Sequence, residues 1–239
     1  MFRKIANGFI DLIFPLNCAL CGQFDPVTQR QPLCRACLQS IPYARPPFCL
    51  KCARHLKTYN EQGLCPDCLL QPPAFDGAWA FTRYEPPMTN MIRAFKFHNK
   101  TALRKTFAHI ARTFLTRYGL ELTADMLIPV PIHPVRLRER GYNQSALLAQ
   151  SLAGLTGIPL ATAILKKHLL IPRQSELRRK ERWTNIQGAF RIENSSLARN
   201  KHIILVDDLL TTGATASEAA GALKQAGAAK VELIALSAA

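Results

Sequence analysis

The sequence predicts an α/β protein: a doubly wound, mostly parallel sheet preceded by a small cysteine-rich module. Three observations predict it. All eight cysteines fall between residues 18 and 68. The rest of the chain alternates short apolar runs with helical patterns, as parallel strands joined by helices do. One run, IILV at 203–206, leads directly into DDLLTTGAT and an alanine-rich stretch. Strand, acidic pair, small polar turn and helix form the kind of sheet edge at which open α/β folds bind ligands. At 239 residues the chain has room for a medium domain with an appendage, and we divide it into 1–73 and 74–239.

The N-terminal segment MFRKIANGFIDLIFPLN has a basic start and an apolar stretch. Asp11 interrupts the stretch, Pro15 ends it and no small-residue cleavage site follows, so it does not read as a signal peptide. No run approaches the ~18 apolar residues of a spanning helix. Phe2, Ile5, Phe9, Leu12 and Ile13 fall at helical spacing, which predicts a short helix docked on the body of the protein. The expected location is cytoplasmic, or peripheral at the inner membrane.

The cysteines form four C-x-x-C pairs: Cys18/Cys21, Cys34/Cys37, Cys49/Cys52 and Cys65/Cys68. The second quartet repeats the first at an offset of 31 residues, so the repeated unit is a metal site. Each C-x-x-C turn presents two thiolates, and two turns close a tetrahedral Cys₄ zinc shell. Disulfides are disfavoured in a reducing cytoplasm, and four regular copies argue against a redox pair. Two structural Zn²⁺ sites are expected, with consecutive quartets or a crossed pairing of first and third pairs both compatible with the spacing. The module is proline-rich and poor in large aliphatic residues, so metal must replace a core it lacks. His55, beside four available thiols, reads as a surface residue. Pro72–Pro73 closes the module.

In the main domain, 75–84 reads as the first strand and 88–118 as a long basic helical region. A strand at 126–131, a loop at 132–144 and a helix at 145–154 follow, then an extended segment near 161–166. A polar stretch at 172–190, the strand 203–206, a helix over 214–226 and a strand at 230–236 complete it. His133, in a proline-bracketed loop, reads as a rigid-loop residue and not a base.

Thirty-one Lys and Arg against sixteen Asp and Glu give a net charge of +15, which calls for a polyanionic partner or ligand. The excess is clustered. Residues 93–117 hold Arg93, Lys96, Lys100, Arg104, Lys105, Arg112 and Arg117 with no acid, and residues 133–182 hold ten basic residues against three acidic ones. Solvated helix faces would explain any one of these residues; the clustering suits nucleic acid, membrane headgroups or phosphorylated metabolites.

The string at 203–215 explains its own acids. Backbone N–H groups of a tight turn before a helix cradle phosphate, and threonine hydroxyls add donors. Carboxylates repel phosphate but accept hydrogen bonds from vicinal hydroxyls. Asp207 and Asp208 therefore suit a sugar, and Thr211, Thr212, Gly213, Ala214 and Thr215 suit the phosphate on its 5′ carbon, with Leu209 and Leu210 joining them in the binding string. A lone Asp-Thr would be no more than a cap. Arg136, Arg138 and Arg140, then Gly141, Asn143 and Gln144, follow a strand end directly; guanidinium forks bind phosphate, and a basic surface loop with a helix-capping Asn143 or Ser145 is the alternative.

The string 203–215 resembles the phosphoribosyl-binding loop of type I phosphoribosyltransferases. Together with the cysteine quartets, PVPIHPVRLRERGYNQ at 129–144 and RQSELRRKERWTNIQGAF at 173–190, the whole chain resembles the ComF family of competence proteins. The resemblance implies a zinc ribbon before a phosphoribosyltransferase-like domain, and a pocket for phosphoribosyl pyrophosphate (PRPP) or a ribose 5-phosphate with Mg²⁺, its diphosphate facing the 136–144 loop. It further implies handling of internalised single-stranded DNA, alongside other competence proteins such as a DNA-translocating helicase. Arg173, Arg178, Arg179, Lys180 and Arg182 beside Trp183 suit a single strand, by phosphate attraction and base stacking. In the family fold, 173–190 would also form a lid, and a plain solvated helix is the alternative to both roles. No catalytic residue and no base-recognition element is legible. The expected function is DNA handling with a retained phosphoribosyl pocket; the alternative is an active Mg²⁺-dependent phosphoribosyltransferase.

Overall fold

The structure, a computed structural model, describes residues 17–18, 20–24, 33–58, 60–171 and 183–239. The predicted N-terminal helix and the basic residues Arg173, Arg178, Arg179, Lys180 and Arg182 lie outside the described residues.

In the N-terminal module, helix α1 (Arg35–Gln39) and helix α2 (Pro66–Leu70) each begin directly after a cysteine. Cys34 caps α1, its sulfur accepting from the Cys37 N–H at 3.5 Å. Proline at N1 starts α2, where its missing N–H costs no helical hydrogen bond.

The main domain is built on a parallel four-stranded sheet in the order β1–β6–β5–β2, with β1 Gly77–Arg83, β2 Met126–Pro129, β5 His202–Leu210 and β6 Lys230–Ala238. A two-stranded antiparallel ladder joins β3 (Leu165–Lys167) to β4 (Phe190–Ile192). The helices are α3 (Met88–Phe97), α4 (Leu103–Tyr118), α5 (Pro134–Arg140), α6 (Gln144–Thr156) and α7 (Ala214–Gln225). Alternate residues of β5 serve opposite faces, as a strand's period of two dictates. Ile204 and Val206 share a core with α3, α4 and α6, whereas Ile203 and Leu205 share one with α7 and the β3–β4 ladder. Both faces are covered, as a doubly wound sheet requires.

Four local expectations are corrected. The helical region 88–118 is two helices, because Asn99 adopts a left-handed backbone (φ 51°) that ends the first. The loop at 132–144 contains α5. His133 caps it by accepting from the Val135 N–H, Pro134 occupies its first turn, and Gly141 at φ 83° ends it. The strand expected at 203–206 continues to Leu210, since β6 offers backbone partners up to Ala238 regardless of the acids. Of the extended segment near 161–166, Leu160 bridges Leu127 at the β2 edge while 165–167 belongs to the ladder.

The module and the main domain also share packing. The Arg83 N–H donates to the Pro42 carbonyl at 2.8 Å and the Ala44 N–H to the Phe81 carbonyl at 3.0 Å, so 42–44 extend the sheet beyond β1. Cys18, Leu33, Cys34, Ile41 and Ala44 are buried in the same core as Phe81, Phe107 and Phe114. The hydrophobic core runs across the division expected near residue 73.

Candidate functional site

Each consecutive cysteine quartet closes on itself. The four sulfurs of Cys18, Cys21, Cys34 and Cys37 lie within 4.8 Å of one another, as do those of Cys49, Cys52, Cys65 and Cys68. The Cys21–Cys34 and Cys52–Cys65 separations are 3.7 and 3.6 Å. A tetrahedron with Zn–S bonds of about 2.3 Å has an edge of about 3.8 Å, so the geometry fits Zn²⁺. The crossed pairing is excluded. Burial and the nearby sulfurs push the Cys37 thiol up, while its neighbours hold Cys18 down at about 6 despite burial. Thiols packed so closely cannot all ionise without a cation between them. His55 is exposed, as expected.

The second site is a cleft of about 850 Å³ at the carboxyl end of the sheet. Asp207, Asp208, Leu209, Leu210, Thr211, Thr212, Gly213, Ala214 and Thr215 all line it. Gly213, at φ 79°, turns the chain from β5 into α7, and the N–H groups of the first turn of that helix have no intrahelical acceptor. Asp207 is held in place. Its Oδ1 accepts from the Ser145 hydroxyl and the Asp208 N–H, both at 2.9 Å. Enclosure in the cleft raises the Asp207 pKa to about 7, Asp208 adds to the rise, and Lys96 with these hydrogen bonds opposes it.

The opposite wall comes from α5 and the residues after it. Arg136, Arg140 and Gln144 line the cleft, whereas Arg138 is exposed and outside the lining. Arg140 donates to Gln144, and Arg136 pairs with Glu139 at 2.8 Å. Gly141 serves as the left-handed stop of α5. Asn143 caps α6 through the Ser145 N–H and donates to the Val130 carbonyl at 3.1 Å, fixing the wall to the end of β2. Trp183 is half-buried against the core under α7.

Several lining residues were not singled out for this site from sequence. Lys96, counted there in a basic surface run, turns inward and forms an ion pair with the buried Asp208 at 2.8 Å. Burial lowers the pKa of its ammonium, but the Asp208 carboxylate more than offsets this and the net direction is up. The buried α3 positions Met88, Met91, Ile92 and Phe95 put residue 96 at the margin of the apolar face, and that periodicity was the available signal. Lys167, its pKa lowered by burial, enters from β3. Tyr142 donates to the Phe95 carbonyl and ties the residues after α5 to α3. Arg93, Lys96, Arg136, Arg140 and Lys167 thus face Asp207, Asp208 and Glu139, leaving an excess of cations for an anionic ligand.

Known proteins place this arrangement. The double zinc ribbon domain model matches residues 9–69, and the phosphoribosyl transferase domain model matches 143–239. Competence protein F of Haemophilus influenzae is 31% identical over 209 residues, covering 84% of this chain and 88% of that protein. The chain belongs to the ComF family. Other ComF relatives include the DNA utilization protein YhgH of Salmonella typhimurium, 30% identical with 90% of this chain and 87% of the relative covered. Competence protein ComFC of Bacillus subtilis is 29% identical, with 90% and 91% covered. Among the described residues of this ComF chain, no helix is long and apolar enough to cross a membrane.

Proposed function

We propose that this ComF protein handles single-stranded DNA in the cytoplasm during DNA uptake or use, and binds PRPP or a ribose 5-phosphate in the cleft. The supporting observation is the convergence of the 207–215 string and the Arg136/Arg140 wall on one cation-rich cleft. In this reading, the turn at 211–215 holds the 5-phosphate through backbone N–H groups and threonine hydroxyls. Asp207 accepts from the ribose hydroxyls, and Asp208 is paired with Lys96 at 2.8 Å. Arg136 and Arg140 hold the diphosphate with planar forks. Mg²⁺ fits this donor set, since it favours hard oxygen ligands from a carboxylate and a ligand's phosphates, and would neutralise the diphosphate when bound.

The names of the relatives, competence and DNA utilization proteins, support the DNA role, as does the net charge of +15. Binding to a single strand is expected to weaken with salt at a slope of about −0.7 per phosphate neutralised. Replacing Arg178, Arg179 and Arg182 together by Ala should flatten that slope while PRPP binding persists. Anisotropy titrations across salt concentrations test this: an unchanged slope removes the segment from the interface, and absence of wild-type binding at low salt rejects the DNA reading.

One observation favours an enzyme as the second reading. The cleft volume of about 850 Å³ is near the top of the ~300–1,000 Å³ range of ligand pockets, leaving space beside a phosphoribosyl ligand for an acceptor. Diphosphate release from PRPP, assayed with a panel of bases with and without single-stranded DNA, distinguishes an enzyme from a binding protein.

A further inference from the structure

We propose that single-stranded DNA crosses the mouth of the cleft with one base stacked on Phe97, so that the strand and the phosphoribosyl ligand exclude one another. This rests on the DNA reading above and gives it a location. Phe97 ends α3 after a row of buried residues, yet 56% of its surface is exposed. A lone exposed ring would mean little. This one lines the same cleft as Asp207 and Thr211, and the Arg140 guanidinium stands over its ring at 5.5 Å.

The cations around it are arranged for a chain of phosphates. Arg93 and Phe97 are four residues apart on α3, and Arg136 and Arg140 are four apart on α5, so each pair shares a helix face. All four residues line the cleft, which places the two faces across one opening. Lys100, exposed just beyond α3, continues the positive charge outward. An aromatic ring among guanidinium groups matches a base stacked between backbone phosphates. An acidic peptide would meet the charge but leave the ring unused. Trp183, half-buried against the core, offers less surface for stacking than Phe97.

Exclusion follows from shared charge. Arg136 and Arg140 are the groups assigned to the ligand's diphosphate, and they cannot neutralise a DNA phosphate at the same time. The coupling is reciprocal: whatever factor PRPP takes from strand affinity, the strand takes from PRPP affinity.

The test uses the zinc-loaded full chain and a fluorescein-labelled oligothymidylate at low salt. Phe97→Ala is expected to weaken strand binding about 5- to 150-fold, the value of one stacked base. Phe97→Tyr, which keeps the ring, should bind like wild type. Saturating PRPP with Mg²⁺ should raise the apparent Kd of the wild type for the strand. Wild-type affinity in Phe97→Ala, equal losses in Phe97→Ala and Phe97→Tyr, or indifference to PRPP would each overturn the proposal while leaving the DNA reading standing. Competition by polyglutamate as effective as by unlabelled oligothymidylate would overturn it in favour of an acidic peptide. A wild type that binds no strand rejects the DNA reading together with this inference.

Discussion

Cys34→Ser is expected to unfold the main domain as well as the zinc module. A structural zinc site contributes about 10–16 kcal/mol of folding free energy, whereas a whole domain is stable by only about 5–15 kcal/mol. Where the lost energy falls depends on packing. Cys18 and Cys34 are buried in the core that contains Phe81, Phe107 and Phe114, and residues 42–44 cover the β1 edge of the sheet. Losing the first site therefore exposes apolar surface and a strand edge of the main domain. The second quartet differs. Cys49, Cys65 and Cys68 form a small cluster of their own with Cys52, Leu56 and Leu64. Cys52→Ser should release one Zn²⁺ yet leave the sheet and its helices folded. Zinc content and amide exchange read together test both: wild type should carry two Zn²⁺ per chain, and only Cys34→Ser should lose protection in β1 and α4. Full protection of β1 in a Cys34→Ser protein that has lost its metal would show that the shared core does not couple the two parts.

Lys96→Met should cost about 3 kcal/mol, the low end for breaking a buried ion pair, because the cleft solvates the lysine in part. Its side chain is 20% exposed and that of Asp208 is 3% exposed, so the carboxylate is left in a dry site without its counter-charge. For a chain of this size that corresponds to a fall in thermal midpoint of roughly 6–12 °C. Lys96→Met/Asp208→Asn should recover much of the loss, since no uncompensated charge remains. A Lys96→Met protein as stable as wild type, or a double variant less stable than the single, would contradict the pairing.

The residues differ in how far the sequence alone disclosed them. The cysteine spacing repeats and metal chemistry is strict, so both zinc sites were legible to the residue, although quartet pairing needed coordinates. The β5–turn–α7 segment was legible because apolar run, acids, threonines and glycine are contiguous. Lys96 was not: its partner Asp208 is far along the chain, and a basic run looks like a surface until one member is seen to turn inward. Helix α5 was missed despite its local signals, a proline after a capping His133 and a glycine stop, since its arginines read as loop chemistry. The shared core between module and main domain involves side chains from 18 to 236, and no local pattern predicts it.

Calorimetric titration of the zinc-loaded protein with PRPP in Mg²⁺ reads the phosphoribosyl pocket itself. Wild type is expected to bind one equivalent. Asp207→Ala, which removes an acceptor for ribose hydroxyls, and Asp208→Ala, which takes the buried partner from Lys96 at the pocket wall, should each weaken binding by about 1.5–3 kcal/mol, roughly 10- to 150-fold. Undiminished affinity in both variants, or a wild type that binds neither PRPP nor ribose 5-phosphate, would contradict the account.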